Sequence, residues 1–266
     1  MKNPHLLVSI VTYKSDINVL SNVIKKLKKG NALLNFKIRI FDNSSDERIS
    51  KFCLDNKIDF ELSRTNFGFG KAHNINIEAL SLVYDYKYVL ILNPDLFITQ
   101  KNLRRLIEYL EHSPDCACVS PLLKNEKSIP QNAIRLLTNP IDYLLRFFNL
   151  TPNYSLFINK PTNVPFVHGA CLLMRVEDYL QLGGFDERYF LYCEDMDLCR
   201  NIISHDKSVT VHSNSEAVHI WSALSQKSIK VFLIHLISIA KYYLKCGIIS
   251  DKTMKNANSQ FIKLLK

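Results

Sequence analysis

The sequence predicts an α/β protein in which helices cover both faces of a mostly parallel sheet. Up to about residue 121, short β-branched runs alternate with segments whose apolar residues recur at helical spacing. The chain has 266 residues, of which 47% are hydrophobic, so it can bury a substantial core as one large domain or as a domain with an appendage. Strand and helix alternation of this kind is typical of parallel sheets.

The elements follow one another in a regular order. The run LLVSIVT (6–12) predicts the first strand, and a helix follows from Asp16, with apolar residues at helical spacing, to a stop at Gly30. Further strands are predicted at 36–41, 59–63, 88–92 and 116–120, and further helices at 72–83 and 101–112.

Polar residues that directly follow a strand are candidate site residues, because such sheets bind ligands beyond the carboxyl ends of their strands. In DNSS (42–45), Asp42 can accept the imide N–H of a uracil or thymine base, or it can cap a turn or helix. Gly68 and Gly70 allow a close backbone approach to a phosphate. However, His73 stands where a dinucleotide fingerprint needs its third glycine, which disfavours a nicotinamide-dependent oxidoreductase.

Two acidic segments suggest chemistry. In LNPD (92–95), Asp95 follows a buried strand and can hold a divalent cation that bridges nucleotide phosphates, or it can simply lie in a turn. In YFLYCEDMDLCRNI (189–202), Glu194, Asp195 and Asp197 lie among apolar residues. They can form a metal pair, supply a catalytic base or occupy the first turn of a helix, where the helix dipole favours acids.

Composition limits the classes of function and location. The seven cysteines are scattered without zinc spacing, and the amino terminus lacks the pattern of a secretory signal, so we expect a reduced, cytoplasmic protein. Residues 227–266 contain eight lysines and one acid, and this net +7 is most of the chain's +9. Because the rest of the chain is nearly neutral, we expect no nucleic-acid partner.

The order and content of several motifs resemble glycosyltransferase family 2, which has the GT-A nucleotide-sugar fold. The resemblance covers about the first 225 residues and rests on VSIVTYKSD (8–16), DNSS (42–45), NFGFGKAHN (66–74), LNPD (92–95), HGACLLMR (168–175), GGFDERYFLYCEDMDLC (183–199) and HIWSALS (219–225). Within the family, the chain most resembles bacterial rhamnosyltransferases that use dTDP-rhamnose in O-antigen assembly.

The resemblance implies roles for particular residues. The nucleotide sugar would be bound by Thr12, Asp42, Asn66, Gly68, Gly70, Asn74, Asn93 and Asp95. The acceptor would be contacted by His168, Gly169, Phe185 and Asp186. Asp195 would be the general base with Glu194 beside it, and Asp95 and His219 would hold a divalent cation, Mg²⁺ or Mn²⁺. From the sequence alone, a lone histidine such as His219 is more often a core residue.

The sequence departs from the family pattern at two places. Asn93 replaces the first acid of the D-x-D motif, which removes a charge from the expected metal site, and Asn76 stands where many relatives have glycine.

The resemblance as a whole implies an inverting transfer of L-rhamnose from dTDP-rhamnose onto a lipid-linked glycan acceptor, with another UDP- or GDP-hexose donor as an alternative. A noncatalytic nucleotide- or glycan-binding subunit is the alternative of a different class, and fold alone does not separate them.

The chain is expected to divide near residue 225. Residues 1–225 would form the glycosyltransferase domain, with a nucleotide-sugar half (1–121) and an acceptor and catalytic half (122–225), in which 122–165 would serve acceptor specificity or a partner surface. Residues 226–266 would form a basic amphipathic helical tail, whose apolar run at 231–240 is shorter than the ~20 residues that span a bilayer.

On a helical wheel four of the eight lysines of this tail form one narrow stripe, made of Lys227, Lys230, Lys241 and Lys245, with Ser238 joining it. We expect this stripe to bind an anionic membrane surface, which would make the protein peripheral on the cytoplasmic face of the inner membrane. The alternative is a packing helix whose lysines face solvent.

Overall fold

A computed structural model describes residues 5–29, 34–140, 143, 151–220, 229–247 and 251–265. The strands are β1 (Leu6–Thr12), β2 (Phe36–Asp42), β3 (Asp59–Leu62), β4 (Tyr88–Leu92), β5 (Leu96–Ile98), β6 (Cys116–Lys124), β7 (Ile134–Arg135), β8 (Thr162–Asn163), β9 (Phe166–Val167), β10 (Cys171–Arg175) and β11 (Ser208–His219). The helices are α1 (Ile17–Lys28), α2 (Glu47–Asp55), α3 (Gly70–Ser81), α4 (Gln100–His112), α5 (Val176–Gln181), α6 (Glu194–Ser204), α7 (Ile229–Cys246) and α8 (Lys252–Leu264).

The main sheet is mixed, and its first part is the parallel sheet that the sequence predicts. Within the described residues its strand order is β3-β2-β1-β4-β10-β6-β11-β5, and β8 pairs with β11. Strands β3, β2, β1 and β4 are all parallel, and β6 is parallel to β11. Strand β10 runs antiparallel between β4 and β6, which brings the start of β10 beside the carboxyl end of β4.

Two apolar layers cover the two faces of the sheet because successive side chains of a strand point to opposite faces. Leu6, Val8 and Ile10 of β1 face the layer that contains α1 and α4. Leu7 faces the other layer, which contains α3, α6 and the C-terminal helices. All residues of β1 and β4 are buried, as expected for central parallel strands.

The C-terminal helices pack on this second layer. Tyr242 of α7 and Met254 and Phe261 of α8 are buried in it. Asp251, which caps α8, forms an ion pair with Arg200 of α6. In the part of the chain that the structure describes, no helix is long and apolar enough to cross a membrane.

The orientation of α7 turns part of the lysine stripe towards the protein. Ser238 donates to the Leu191 carbonyl (2.8 Å), Lys241 donates to the Arg188 carbonyl (2.7 Å), and Lys245 Nζ lies 2.8 Å from Asp186 and 2.7 Å from Asp197. These contacts hold the segment before α6, and Lys245 supplies counter-charge to the two carboxylates. Lys230, Lys241 and Lys245 nevertheless remain accessible to solvent, so binding of the stripe to an anionic membrane stays a prediction. Lys227 lies outside the described residues.

The opposite face of α7 is apolar and exposed. It carries Ile229, Phe232, Leu233, Leu236, Ile237 and Leu244, and the exposed fraction of these residues runs from 40% at Leu236 to 86% at Leu244. Part of the polar stripe of α7 faces the protein, and its apolar residues face outward. The helix therefore presents an exposed apolar surface of the kind that marks an interaction site.

Candidate active site

A cavity of about 640 Å³ lies beyond the carboxyl ends of β4 and β11, at the N-terminus of α6. This is the edge of the sheet at which the sequence predicts a site. The site residues predicted from the sequence that line it are Asn93, Asp95, His168, Gly169, Glu194, Asp195 and His219. The structure therefore brings the predicted base, the predicted metal ligands and part of the predicted acceptor side into one cavity.

The backbone before α6 sets the position of Asp195. Tyr192 and Cys193 have consecutive positive φ angles of 70° and 69°, which non-glycine residues adopt at a cost. Asp195 then accepts hydrogen bonds from the backbone N–H of Gly169 (2.9 Å) and of Met196 (2.9 Å). A Cβ atom on Gly169 would lie 3.1 Å from the Cβ of Asp195, so the absence of a side chain there lets the two segments approach.

Glu194 and Asp195 differ in environment although they are neighbours in sequence. Glu194 is buried, and burial together with the charge of Asp195 raises its pKa well above the ordinary 4.5. Asp195 is half-buried and faces the cavity. Two adjacent carboxyl groups with such different surroundings can divide the roles of proton holder and base.

Asp95 and His219 meet as the sequence predicts. His219 Nε2 lies 3.2 Å from Asp95 Oδ1, and its Nδ1 lies 3.2 Å from Gln131 Oε1. The amide nitrogen of Gln131 also donates to the His219 carbonyl (2.9 Å), and Ile220 N–H donates to the Asp95 carbonyl (3.0 Å). Because Gln131 Oε1 can only accept, Nδ1 carries a proton. A second proton on Nε2 would make the contact with Asp95 an ion pair, whereas the neutral ring would leave the Nε2 lone pair for a cation held together with Asp95.

This donor set fits a divalent cation whose other ligands come from a substrate. One carboxylate and one imidazole lie 3.2 Å apart in the cavity, which Asn93 also lines. Among the described residues, no group of three His, Cys, Asp or Glu side chains forms a complete metal cage. Mg²⁺ is commonly held in this way, by one or two protein carboxylates together with substrate phosphates and water.

Asp42 has a structural role in this fold, and its predicted contact with a base stays a prediction. The residue is fully buried, and it accepts from the Thr12 hydroxyl (2.7 Å) and from the backbone N–H groups of Ser44 (3.1 Å) and Asp46 (2.8 Å). Its carboxylate fixes the turn between β2 and α2. This is the second role that the sequence left open for Asp42, that of capping a turn or helix. Thr12 is also fully buried, and its hydroxyl is used in this contact.

The predicted nucleotide loop packs against protein. A Cβ on Gly68, whose φ is +82°, would lie 1.9 Å from the Phe190 carbonyl oxygen, and one on Gly70 would lie 2.8 Å from Phe185. Asn66 accepts from the Gly68 N–H (2.8 Å). The close approach that these glycines allow is to the segment before α6, and their predicted contact with a phosphate stays a prediction.

Asn74 belongs to the same packing. Its side chain donates to the Phe185 carbonyl (2.8 Å) and accepts from the Tyr179 hydroxyl (2.6 Å). Asn74 is buried and holds the turn that contains Gly184, and its predicted contact with a nucleotide stays a prediction.

Two of the four predicted acceptor residues are not among the described residues that line the cavity. Phe185 is buried beneath Phe69, with ring centroids 5.7 Å apart. Asp186 forms ion pairs with Arg188 and Lys245, and the hydrogen bond from Arg188 holds the pKa of its carboxyl well below the usual range. Both residues support the segment before α6, whereas His168 and Gly169 lie in the cavity.

The sequence prediction missed part of the cavity lining. This part includes Gln131, Arg135 and Tyr143, from the region assigned to acceptor specificity or a partner surface, and Phe232 and His235 of α7. The signal for His235 was a polar residue inside the apolar run VFLIHLISIA, but such a residue is as compatible with a packing helix as with a site.

The sequence comparison decides the family of the chain. The family model for "Glycosyl transferase family 2" matches residues 7–183. The chain belongs to this family. It is therefore a glycosyltransferase, which confirms the resemblance seen in the motifs.

Two curated relatives are named as rhamnosyltransferases. Rhamnosyltransferase WbbL of Escherichia coli K12 is 27% identical over 237 residues, which are 85% of this chain and 89% of the relative. N-acetylglucosaminyl-diphospho-decaprenol L-rhamnosyltransferase of Mycobacterium tuberculosis is 27% identical over 154 residues, 50% of this chain and 49% of the relative. The low-salt glycan biosynthesis hexosyltransferase Agl10 of Haloferax volcanii is 27% identical over 73% of this chain and 60% of the relative.

A solved structure supports the fold. The crystal structure of GalNAc-T7 with UDP, GalNAc and Mn²⁺ aligns with a TM-score of 0.65 at 15% identity, over 83% of this chain and 44% of that chain. The α/β fold of GT-A type predicted from the sequence is therefore confirmed.

Proposed function

We propose that this glycosyltransferase moves L-rhamnose from dTDP-rhamnose onto a lipid-linked glycan of a cell-surface polysaccharide such as O-antigen, with inversion at the anomeric carbon. The observation that carries the reaction type is the position of Asp195 in the same cavity as the Asp95–His219 pair. The named activities of WbbL and the mycobacterial relative support the choice of sugar.

The residues divide the work of a single displacement. Asp195 accepts the proton of the acceptor hydroxyl as its oxygen bonds to the anomeric carbon of the donor sugar. The bond from that carbon to the diphosphate oxygen breaks, and its electron pair leaves with the nucleoside diphosphate. A divalent cation bound at Asp95 and His219 would supply positive charge for that leaving group. Burial raises the pKa of Glu194, which opposes a second negative charge beside the base.

We also propose that the protein works at the cytoplasmic face of the inner membrane, where a lipid-linked acceptor is accessible. The exposed apolar face of α7 supports this, because apolar side chains gain free energy on leaving water for the membrane interface. Lysines of the C-terminal region whose side chains remain exposed, such as Lys230, Lys252 and Lys255, add attraction to anionic lipids.

A panel of nucleotide sugars tests the proposed reaction. We expect dTDP-rhamnose to be bound and turned over in the presence of Mg²⁺ or Mn²⁺, and other donors to be turned over more slowly. Turnover of a UDP- or GDP-hexose in preference to dTDP-rhamnose would overturn the donor. Binding of nucleotide sugars without transfer or hydrolysis would instead indicate a noncatalytic binding subunit.

Vesicle sedimentation tests the membrane contact separately. We expect a fraction bound to anionic vesicles that high salt reduces but does not abolish, because the apolar contact is not screened. The double substitution Leu233→Ser, Ile237→Ser on the outer face of α7 should abolish this fraction. Leu82→Ser, which changes an exposed leucine at the end of α3, serves as the control and should leave binding unchanged. Equal vesicle binding by the Leu233→Ser, Ile237→Ser variant and by the Leu82→Ser control would rule out α7 as the membrane contact.

A further inference from the structure

The backbone that leads into the base is held by contacts from other parts of the fold. Residues 186–193, which we call the base segment, form neither helix nor strand, and they end in the positive φ angles of Tyr192 and Cys193. The side chain of Cys193, the N-cap of α6, makes no capping hydrogen bond. Such a backbone persists only where its surroundings impose it. One imposing contact is the imidazole of His235 of α7, which stacks on the Tyr192 ring with centroids 4.5 Å apart.

Helix α7 also supplies hydrogen-bond donors to the backbone of the base segment. The hydroxyl of Ser238 donates to the Leu191 carbonyl at 2.8 Å, and Lys241 Nζ donates to the Arg188 carbonyl at 2.7 Å. Ser238 is only 2% exposed, although it lies in a helix made mostly of apolar residues. The two donors are three positions apart, so they lie on the same side of α7. This side of the helix therefore satisfies carbonyl groups that no helix or strand would satisfy.

The loop at residues 66–70 holds the same segment from another direction. The Phe69 N–H donates to the Phe190 carbonyl at 3.0 Å. The carbonyl can approach because residue 68 is a glycine, on which a Cβ atom would lie 1.9 Å from the Phe190 oxygen. The base segment is thus fixed between this loop and α7, and loss of the α7 donors would release one of its two sides.

The position of the base segment determines the position of Asp195. The segment ends at the first turn of α6, where the Asp195 carboxylate accepts from the N–H groups of Gly169 and Met196, each at 2.9 Å. A shift of the segment would move this turn relative to Gly169. Misplacement of a catalytic group by about 1 Å can lower a rate by ~10²-fold even when the altered residue is distant from the chemistry.

We propose that Ser238 and Lys241 are positioning residues for the base, which they hold in place through the Leu191 and Arg188 carbonyls. Neither is among the described residues that line the cavity, so they act on the base through the backbone. The proposal rests on the proposed function, because it takes Asp195 as the base of the transfer. It gives the two sides of α7 different roles, since the apolar side is the proposed membrane contact and this side holds the base segment.

Hydrolysis of dTDP-rhamnose by the full chain tests the proposal, because an attacking water loses its proton to the same base. At equal folded concentration, we expect Ser238→Ala and Lys241→Met each to lower kcat by ~10-fold and to change KM for the donor by less than ~2-fold. Lys241→Arg keeps a donor and should recover most of the kcat. Lys241 is exposed, so its substitution leaves the buried packing intact. Lys263→Met, at an exposed position of α8, is the control and should hydrolyse as the wild type does.

Amide hydrogen exchange supplies a second measurement that needs no turnover. We expect faster exchange of the Gly169 amide, which donates to Asp195, in Ser238→Ala and Lys241→Met, with the amides of β1 unchanged. Wild-type kcat and wild-type Gly169 exchange in these two variants would overturn the proposal, and so would an equal loss of kcat in Lys263→Met. Absence of hydrolysis by the wild type, with faster Gly169 exchange in the variants, would overturn the proposed function and leave the positioning of Asp195 standing.

Discussion

Asp42 and Asp195 both lie at the carboxyl edge of the sheet, yet the structure gives them opposite surroundings. Asp42 is fully buried and accepts from two hydroxyl groups and two backbone N–H groups of its own neighbourhood. Asp195 accepts hydrogen bonds from two backbone N–H groups and faces a cavity that Asp95 and His219 also line. An acid whose hydrogen bonds are supplied by its own turn stabilises that turn, whereas an acid that faces a cavity can receive a proton from a ligand.

The first turn of α6 repeats this contrast over four residues. Glu194 is buried, Asp195 faces the cavity, and Asp197 is buried against Lys245 of α7. The helix dipole favours all three acids, so it does not distinguish them. Their packing partners distinguish them, and each partner suggests an experiment.

A large effect is expected at the Asp95–His219 pair. Asp95→Ala and His219→Ala should each lower cation-dependent donor binding or turnover by roughly 10²-fold, because the pair has no second acid to replace a lost ligand and such metal contacts stabilise charge by several kcal/mol. Titration of Mn²⁺ at fixed donor concentration measures this. Full activity of the wild type in excess chelator would contradict the metal site.

A smaller effect is expected at Lys245. Lys245→Met leaves the buried Asp197 carboxylate without its ion-pair partner, and burial already raises the pKa of that carboxyl. We expect a loss of about 1–3 kcal/mol in the free energy of unfolding, below the ~3–5 kcal/mol of fully buried pairs, because the Lys245 side chain is 32% exposed. Urea denaturation measures the loss. Lys230→Met on the same helix is the control, and an equal loss in both variants would contradict the assignment.

The smallest effect is a pH dependence caused by Glu194. Burial and the charge of Asp195 raise the pKa of Glu194 in the folded protein well above its ordinary value of 4.5. At a pH between 4.5 and this raised pKa, the folded protein holds a proton on Glu194 that the unfolded chain has released. Stability contributed by this group therefore falls as pH rises above about 4.5. Glu194→Gln should be more stable than the wild type at pH 8, and this advantage should shrink towards pH 4. Thermal unfolding across this range gives the difference, and parallel curves for the two proteins would contradict the raised pKa.

The sequence predicts most of the sheet but not every element. The strands at β1, β2, β3, β4 and β6 and the helices α1, α3 and α4 lie where apolar periodicity places them. Helix α2 has only nine residues and strand β5 only three, which leaves too few apolar positions to establish a period. The antiparallel insertion of β10 depends on contacts with β4 and β6 that are distant in sequence.

The sequence predicts the site residues that belong to recognisable motifs. It does not predict those whose position depends on packing between distant segments. Asp95 and His219 come together as expected, although 124 positions separate them in the sequence. Gly68 and Asn74 were expected to bind a nucleotide because a sequence does not show that Phe190 and Phe185 approach them. The helical wheel of α7 gave the polar stripe correctly, but it did not show which side of the helix the protein covers.

Turnover by Asp195→Asn and Asp42→Asn, compared at equal folded concentration, tests most directly the claim that catalysis depends on the acid that faces the cavity. Asp195→Asn should retain donor binding and lose ~10²-fold or more in turnover, the scale of a lost general base. Asp42→Asn should lose about 1–3 kcal/mol in stability from unsatisfied buried partners, with turnover per folded molecule near that of the wild type. Near wild-type turnover by Asp195→Asn, or a larger catalytic loss in Asp42→Asn, would contradict the account.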